Sequence, residues 1–228
     1  TLGRPQGEYT QNYITLSHRD DKYIKYVSGP VDYQTNKDPI YNTDWLQNNF
    51  GVTRSVSLMR VYDTRDNVFN PTEGKRVSLT TEFAGHMFGG DFNYDKYTFE
   101  GRQYYKVGGK QTVAVKLSAG YAVGAMPDAG KYAVGGIDTL RGYEDEQFKG
   151  TKMLAATAEY RFPVAKKVEG AVFGDIGNAW DGEGYKLNDL KASVGVGLRV
   201  NTPLGPMRFD FARGEQGSKF HFGFGGQF

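Results

Sequence analysis

Apolar and polar residues alternate along most of this chain with a period of two. From Lys110 to Val123, residues Val113, Val115, Leu117, Ala119, Tyr121 and Val123 share one face, and Thr112, Ala114, Lys116, Ser118 and Gly120 share the other. Successive side chains of a β-strand point to opposite faces, so such a segment is apolar on one side and small or polar on the other. Leu190 to Val200 repeats the pattern, and the last segment repeats it with rings: Phe220, Phe222, Phe224 and Phe228 against His221, Gly223, Gly225 and Gln227. The pattern predicts about ten strands. Their expected spans are 9–27, 52–63, 76–88, 92–106, 111–124, 152–163, 168–180, 190–201, 205–213 and 218–228. The first carries a charged break at Arg19–Lys22, and leaving such irregular segments out of the wall gives eight strands.

Most of these segments are long for globular strands and suit a tilted strand that crosses a bilayer in about 9–11 residues. Tight links such as "NPTEG" (Asn70–Gly74), "VAKK" (Val164–Lys167) and "TPLG" (Thr202–Gly205) alternate with long ones at 28–51, 125–151 and 181–189. Membrane barrels alternate short turns and long loops in this way. A soluble sandwich or lipocalin-like barrel turns its apolar faces inward, whereas a membrane barrel inverts them, and alternation by itself does not separate the two. The polar face favours the membrane. It is rich in Gly, Ser and Thr, and it mixes charge signs: Arg76 and Glu82, Lys96, Glu100 and Arg102, Glu159 and Arg161, Arg208 and Asp210. Opposite charges on neighbouring strands can pair inside a narrow lumen.

Composition narrows the function classes. The 228 residues carry a net charge of +2, which gives no electrostatic pull toward nucleic acid. Mean hydropathy is −0.57, and no apolar run approaches the ~20 residues of a membrane helix. Sixteen Tyr, 15 Phe and 31 Gly, against two Trp, fit an all-β protein with aromatic girdles. The absence of Cys excludes disulfides and thiolate chemistry. His18, His86 and His221 lie on separate segments without metal-ligand spacing. No P-loop, G-x-S-x-G or dinucleotide fingerprint is present. The expectation is a single domain over 1–228 that is not an enzyme and uses neither cofactor nor metal.

Four stretches then carry a resemblance. "YDTRDNVFNPTEGKRVSL" (Tyr62–Leu79), "GGIDTLRGYE" (Gly135–Glu144), "FGDIGNAW" (Phe173–Trp180) and the terminal "GPMRFDFA…FHFGFGGQF" resemble the C-terminal barrel of the bacterial surface antigen family, which includes BamA-type and TamA-type assembly factors and two-partner secretion transporters. The resemblance implies an antiparallel transmembrane β-barrel in the bacterial outer membrane with a long outer loop folded into its lumen. Arg141, with Gly142 and Tyr143, would then meet acids on the inner wall, namely Asp175 and Glu159. Alternation agrees on direction: Val172 and Ile176 facing lipid turn Asp175 inward, and Leu154, Ala156, Ala158, Tyr160 and Phe162 facing out turn Glu159 inward. Phe220, Phe222, Phe224 and Phe228 match the family's closing strand.

The resemblance also implies work in membrane-protein insertion, translocation or outer-membrane biogenesis. The alternatives are a lipid-handling or envelope-organising barrel without a protein client, and, third, a passive pore. The expected partners are outer-membrane lipids, client outer-membrane proteins and a second copy joined through barrel edge strands. Family barrels are commonly larger and follow periplasmic POTRA domains. The chain is expected to be either a short member of the family or part of a longer one.

Overall fold

The computed structural model describes residues 1–22, 47–202 and 205–225. Phe228 and residues 23–27 of the first expected segment lie outside them. The wall is one antiparallel sheet of 11 strands: β1 (Leu2–Gln6), β2 (Thr10–Asp21), β3 (Gly51–Asp63), β4 (Gly74–Ala84), β5 (Asn93–Gly108), β6 (Gln111–Ala125), β9 (Lys152–Ala165), β10 (Val168–Trp180), β11 (Lys191–Thr202), β12 (Gly205–Gly214) and β13 (Gly217–Phe224). Neighbours in the chain are neighbours in the sheet, except that β6 pairs with β9. The excursion between them carries a small separate hairpin, β7 (Tyr132–Val134) with β8 (Phe148–Gly150). Among the described residues β1 and β13 do not pair with each other, so the sheet is open at both edges.

All ten expected strands are present; β10 has the expected ends, 168–180, and the other nine are shifted at one end or both. The segment expected over 76–88 stops at Ala84 and turns through a short 3-10 element, His86–Phe88. Three strands were not expected. β1 has five residues and contains Gly3 and Pro5, which spoil both propensity and alternation. It is an edge strand, where a proline removes no needed donor. β7 and β8 have three residues each, too short to show a period.

The direction of the faces settles the in-or-out question left by the pattern. On β6, Val115, Leu117, Tyr121 and Val123 are 40, 43, 42 and 50% exposed, while Lys116 and Ser118 between them are 7 and 6% exposed. Val172 and Ile176 of β10, Val194, Val196 and Leu198 of β11, and Phe220, Phe222 and Phe224 of β13 also face outward. A water-facing sheet would bury these side chains. Their exposure beside buried charges is the inverted pattern of a membrane barrel wall. Leu117→Arg should therefore cost about 2–4 kcal/mol, the penalty of a cation on the lipid face near the bilayer midplane. Leu117→Phe should cost little. Denaturant titration of the protein refolded into vesicles would check this, and equal stability of the two variants would place the face in water.

Candidate functional site

The excursion between β6 and β9 does not stay outside the sheet. After β7 it makes a tight turn in which the Gly135 N–H donates to Thr139 Oγ1 at 2.8 Å, and that hydroxyl donates back to the Gly135 carbonyl at 3.0 Å. Gly135 and Gly136 take φ of 129° and 86°, a region that side chains with a Cβ rarely adopt. The turn drives the next residues against the inner wall. Leu140 and Tyr143 pack with Val134 of β7 and Ala179 of β10 into a buried apolar cluster, with Phe148 and Met153 at its rim. The Tyr143 and Phe148 rings meet edge-on at 5.4 Å. This cluster holds the loop in place while Arg141, between its members, points at the wall.

Arg141 has no solvent exposure. Its Nε and Nη2 donate to the two oxygens of Asp175, each at 2.8 Å, and its main-chain N–H adds a third bond to Asp175 at 3.1 Å. Nη1 donates to Glu159 Oε2 at 2.8 Å and to Asp210 Oδ2 at 3.3 Å. The guanidinium also lies over the Phe173 ring, with Cζ 3.2 Å from its centroid. This combines a forked carboxylate pair with a face-on aromatic contact, and both suit arginine better than lysine. The acids are themselves shared. Arg161 Nε and Arg199 Nη2 each reach Glu159 at 2.8 Å, and Arg199 Nη1 also binds Asp210. Arg141, Arg161 and Arg199 thus balance Glu159, Asp175 and Asp210. Ions sealed from water persist when each has partners of opposite sign and saturated hydrogen bonds.

The register shows why there is room. Phe173 of β10 sits between Glu159 of β9 and Gly195 of β11, and Asp210 of β12 lies opposite Gly197. A side chain at Gly195 would run into the Phe173 ring. Gly142 has φ 104°, and a Cβ there would stand 2.9 Å from both the Gly214 nitrogen and the Ser193 Cβ. Gly142→Ala should therefore lift the loop tip off β11 and β12 and increase protease cleavage between Gly135 and Glu144. Cleavage kinetics in detergent would check this, and an unchanged rate would mean that the tip is not held there. Tyr143 completes the contact: its hydroxyl donates to the Ala192 carbonyl at 3.3 Å, and its ring lies against Gly214.

The loop also reaches the edge strand. Glu144 pairs with Lys219, and Gln147 Nε2 donates to Gln216 Oε1 at 2.7 Å in the β12–β13 turn. The Lys219 ammonium beside Glu144 holds its carboxyl below the usual carboxylate range. Ile137 lies against Gly223 of β13, and Asp138 binds Arg208 of β12 at 2.8 Å. The structure thus brings Arg141, Gly142 and Tyr143 together with Glu159 and Asp175. It places Phe220, Phe222 and Phe224 away from them, on the outer face of β13. Asp210, Arg199 and Phe173 belong to the cluster and were not expected there. No group of three or more acids or imidazoles that could hold a metal occurs among the described residues.

An antiparallel sheet with an apolar exterior, a charged interior and its own loop locked inside is the wall of an outer-membrane β-barrel protein. The chain belongs to the Omp85 superfamily, whose domain matches residues 1–228. It is 34% identical over 120 residues to Outer envelope protein 80, chloroplastic, of Arabidopsis thaliana, covering 48% of this chain and 16% of that protein. It is 28% identical over 190 residues to the outer membrane protein assembly factor BamA of Nitratidesulfovibrio vulgaris, covering 72% of this chain and 24% of that protein. Its fold is similar to the crystal structure of BamA from Haemophilus ducreyi lacking POTRA domains 1–3, with TM-score 0.73 at 18% identity, over 96% of this chain and 51% of that one. The chain therefore spans a quarter or less of these curated relatives and about half of that barrel structure.

Proposed function

We propose that this chain assists the insertion or translocation of β-strand proteins at the outer membrane, with the outer edge of β13 as the template. The observation that carries this reading is the bracing of that edge. β13 has one strand neighbour, β12, among the described residues, and the loop holds both strands through Asp138, Glu144 and Gln147. An unpaired edge offers main-chain donors and acceptors to an incoming strand, and a rigid edge offers them in one register. Family membership and the BamA relatives support the same reading, which requires no covalent chemistry and no catalytic residue.

A photo-crosslinking residue at Phe222, on β13, tests it. Crosslinks to newly made outer-membrane barrel proteins during a pulse of synthesis are the expected result. Crosslinks confined to a second copy of the chain, with a dimeric mass in detergent, would replace the client with a homodimer. Depletion that disturbs lipid asymmetry while barrel assembly continues would replace it with lipid handling.

A further inference from the structure

A second group of charges lies apart from the Arg141 cluster. Between the inner faces of β5 and β6 and loop residues 131–139 is a cavity of about 500 Å³. Its walls carry the cations Lys96, Arg102, Lys116 and Lys131 and the acids Glu100 and Asp138. Both acids are already engaged. Glu100 is approached by Arg76 at 3.0 Å, Arg102 at 2.8 Å and Lys116 at 3.7 Å. The Asp138 carboxylate accepts from Arg208 at 2.8 Å, and its main-chain carbonyl accepts from Lys116 Nζ at 2.9 Å. Arg76, Arg102, Lys116 and Arg208 thus share two carboxylates. Lys96 lies opposite Glu82 of β4, which offsets its charge; its ammonium is met by the Gly130 carbonyl at 2.6 Å and by the Tyr132 ring at 4.5 Å. Lys131 is neutralised at the mouth by Asp128 at 2.8 Å and Asp181 at 3.0 Å.

The donors are also in excess. Arg102 Nε, on the cavity wall, is buried and donates to no protein atom among the described residues; Arg208 Nε and Nη1 are also without an acceptor there but lie on the far side of Asp138, outside the cavity lining. Unbalanced cations in a lumen repel one another, and each buried N–H without an acceptor is costly. A tetrahedral oxyanion relieves both, because it brings more than one negative charge and several acceptor oxygens. Guanidinium groups match it in shape as well as charge. A carboxylate would bring one charge and two oxygens to a wall where the excess is larger.

We propose that this cavity binds a phosphate group, held chiefly by Arg102 and Lys116 with Lys96 behind them. The group comes either from a soluble phosphate or from a phosphorylated lipid headgroup entering at the long-loop end. Pyrophosphate titrated calorimetrically into the purified full chain, in a phosphate-free detergent, tests the soluble source. Solvent extraction and mass spectrometry of the protein as purified test the lipid source. Saturable pyrophosphate binding, or a retained phospholipid, is expected in the wild type. Lys116→Gln should weaken either by about tenfold or more, the effect of one lost charge-assisted hydrogen bond. Glu100→Gln removes the competing acid and should tighten pyrophosphate binding or raise lipid retention, a gain that a merely structural cluster would not show. Each variant is first checked for its heat-resistant folded band, and Lys96→Gln replaces Lys116→Gln if the latter does not fold. Absence of both ligands from the wild type, or affinity and retention unchanged in the variants, overturns the proposal.

Discussion

Arg141→Ala should release the loop from the wall and destabilise the folded protein by about 3–5 kcal/mol, the cost of removing one partner from a buried ion cluster. Solvent does not screen these charges, because the side chains of Arg141, Glu159, Asp175 and Asp210 are all fully shielded. Arg141→Ala strips Asp175 of both side-chain hydrogen bonds, and release of the loop takes the main-chain one with them. Arg161 and Arg199 still face Glu159 and Asp210, so the main uncompensated charge is Asp175, and the sheet must admit water to it. Arg141→Lys should recover little. An ammonium carries the charge but cannot make the fork to Asp175 while also reaching Glu159 and lying flat on Phe173. The readout is the temperature at which the folded band is lost on a semi-native gel, together with protease cleavage of residues 135–144. A lysine variant as stable as the wild type would reduce the lock to a simple charge pair.

Much of the wall was legible in the chain because a membrane sheet imposes period two on every strand. The long segments from Gly51 to Phe224 show it, and their alternation correctly turned Glu159 and Asp175 inward. What alternation cannot give is which inward residues of different strands come to the same height. Asp210 and Arg199 are inward on β12 and β11, but their meeting with Glu159, two to three strands away, depends on the register of three successive pairings. Phe173 was read as part of a motif. Its place under Arg141 follows from the space left by Gly195, and that of Asp210 and Arg199 from the space left by Gly197; both appear in the sequence only as small residues on a polar face. β1, β7 and β8 escaped for a simpler reason: three to five residues are too few to display a period.

The register that hid the rest of the cluster makes Glu159 the second position where a large effect is expected. Arg141, Arg161 and Arg199 all converge on it, and each contact is 2.8 Å. Glu159→Gln keeps the size and one acceptor oxygen but leaves three guanidinium groups facing only Asp175 and Asp210. The expected loss is about 3 kcal/mol or more, since the remaining cations are buried and can neither disperse into water nor lose their protons. It should differ in kind from Glu144→Gln, which breaks the exposed pair with Lys219 and should leave the folded band in place. Adding Arg161→Gln to Glu159→Gln restores equal numbers of cations and acids and should recover a measurable part of the loss, so the two substitutions should be non-additive. Recovery should be incomplete, because Arg161 also reaches Asn70 of the β3–β4 turn at 3.4 Å, and that bond would be lost. Thermal gel shifts of the two single variants and the double variant measure the coupling. If Glu159→Gln is as mild as Glu144→Gln, water reaches the cluster and charge balance is not what holds the loop. If the double variant is less stable than Glu159→Gln, Arg161 supports the wall by packing and its turn contact more than it burdens the cluster with charge.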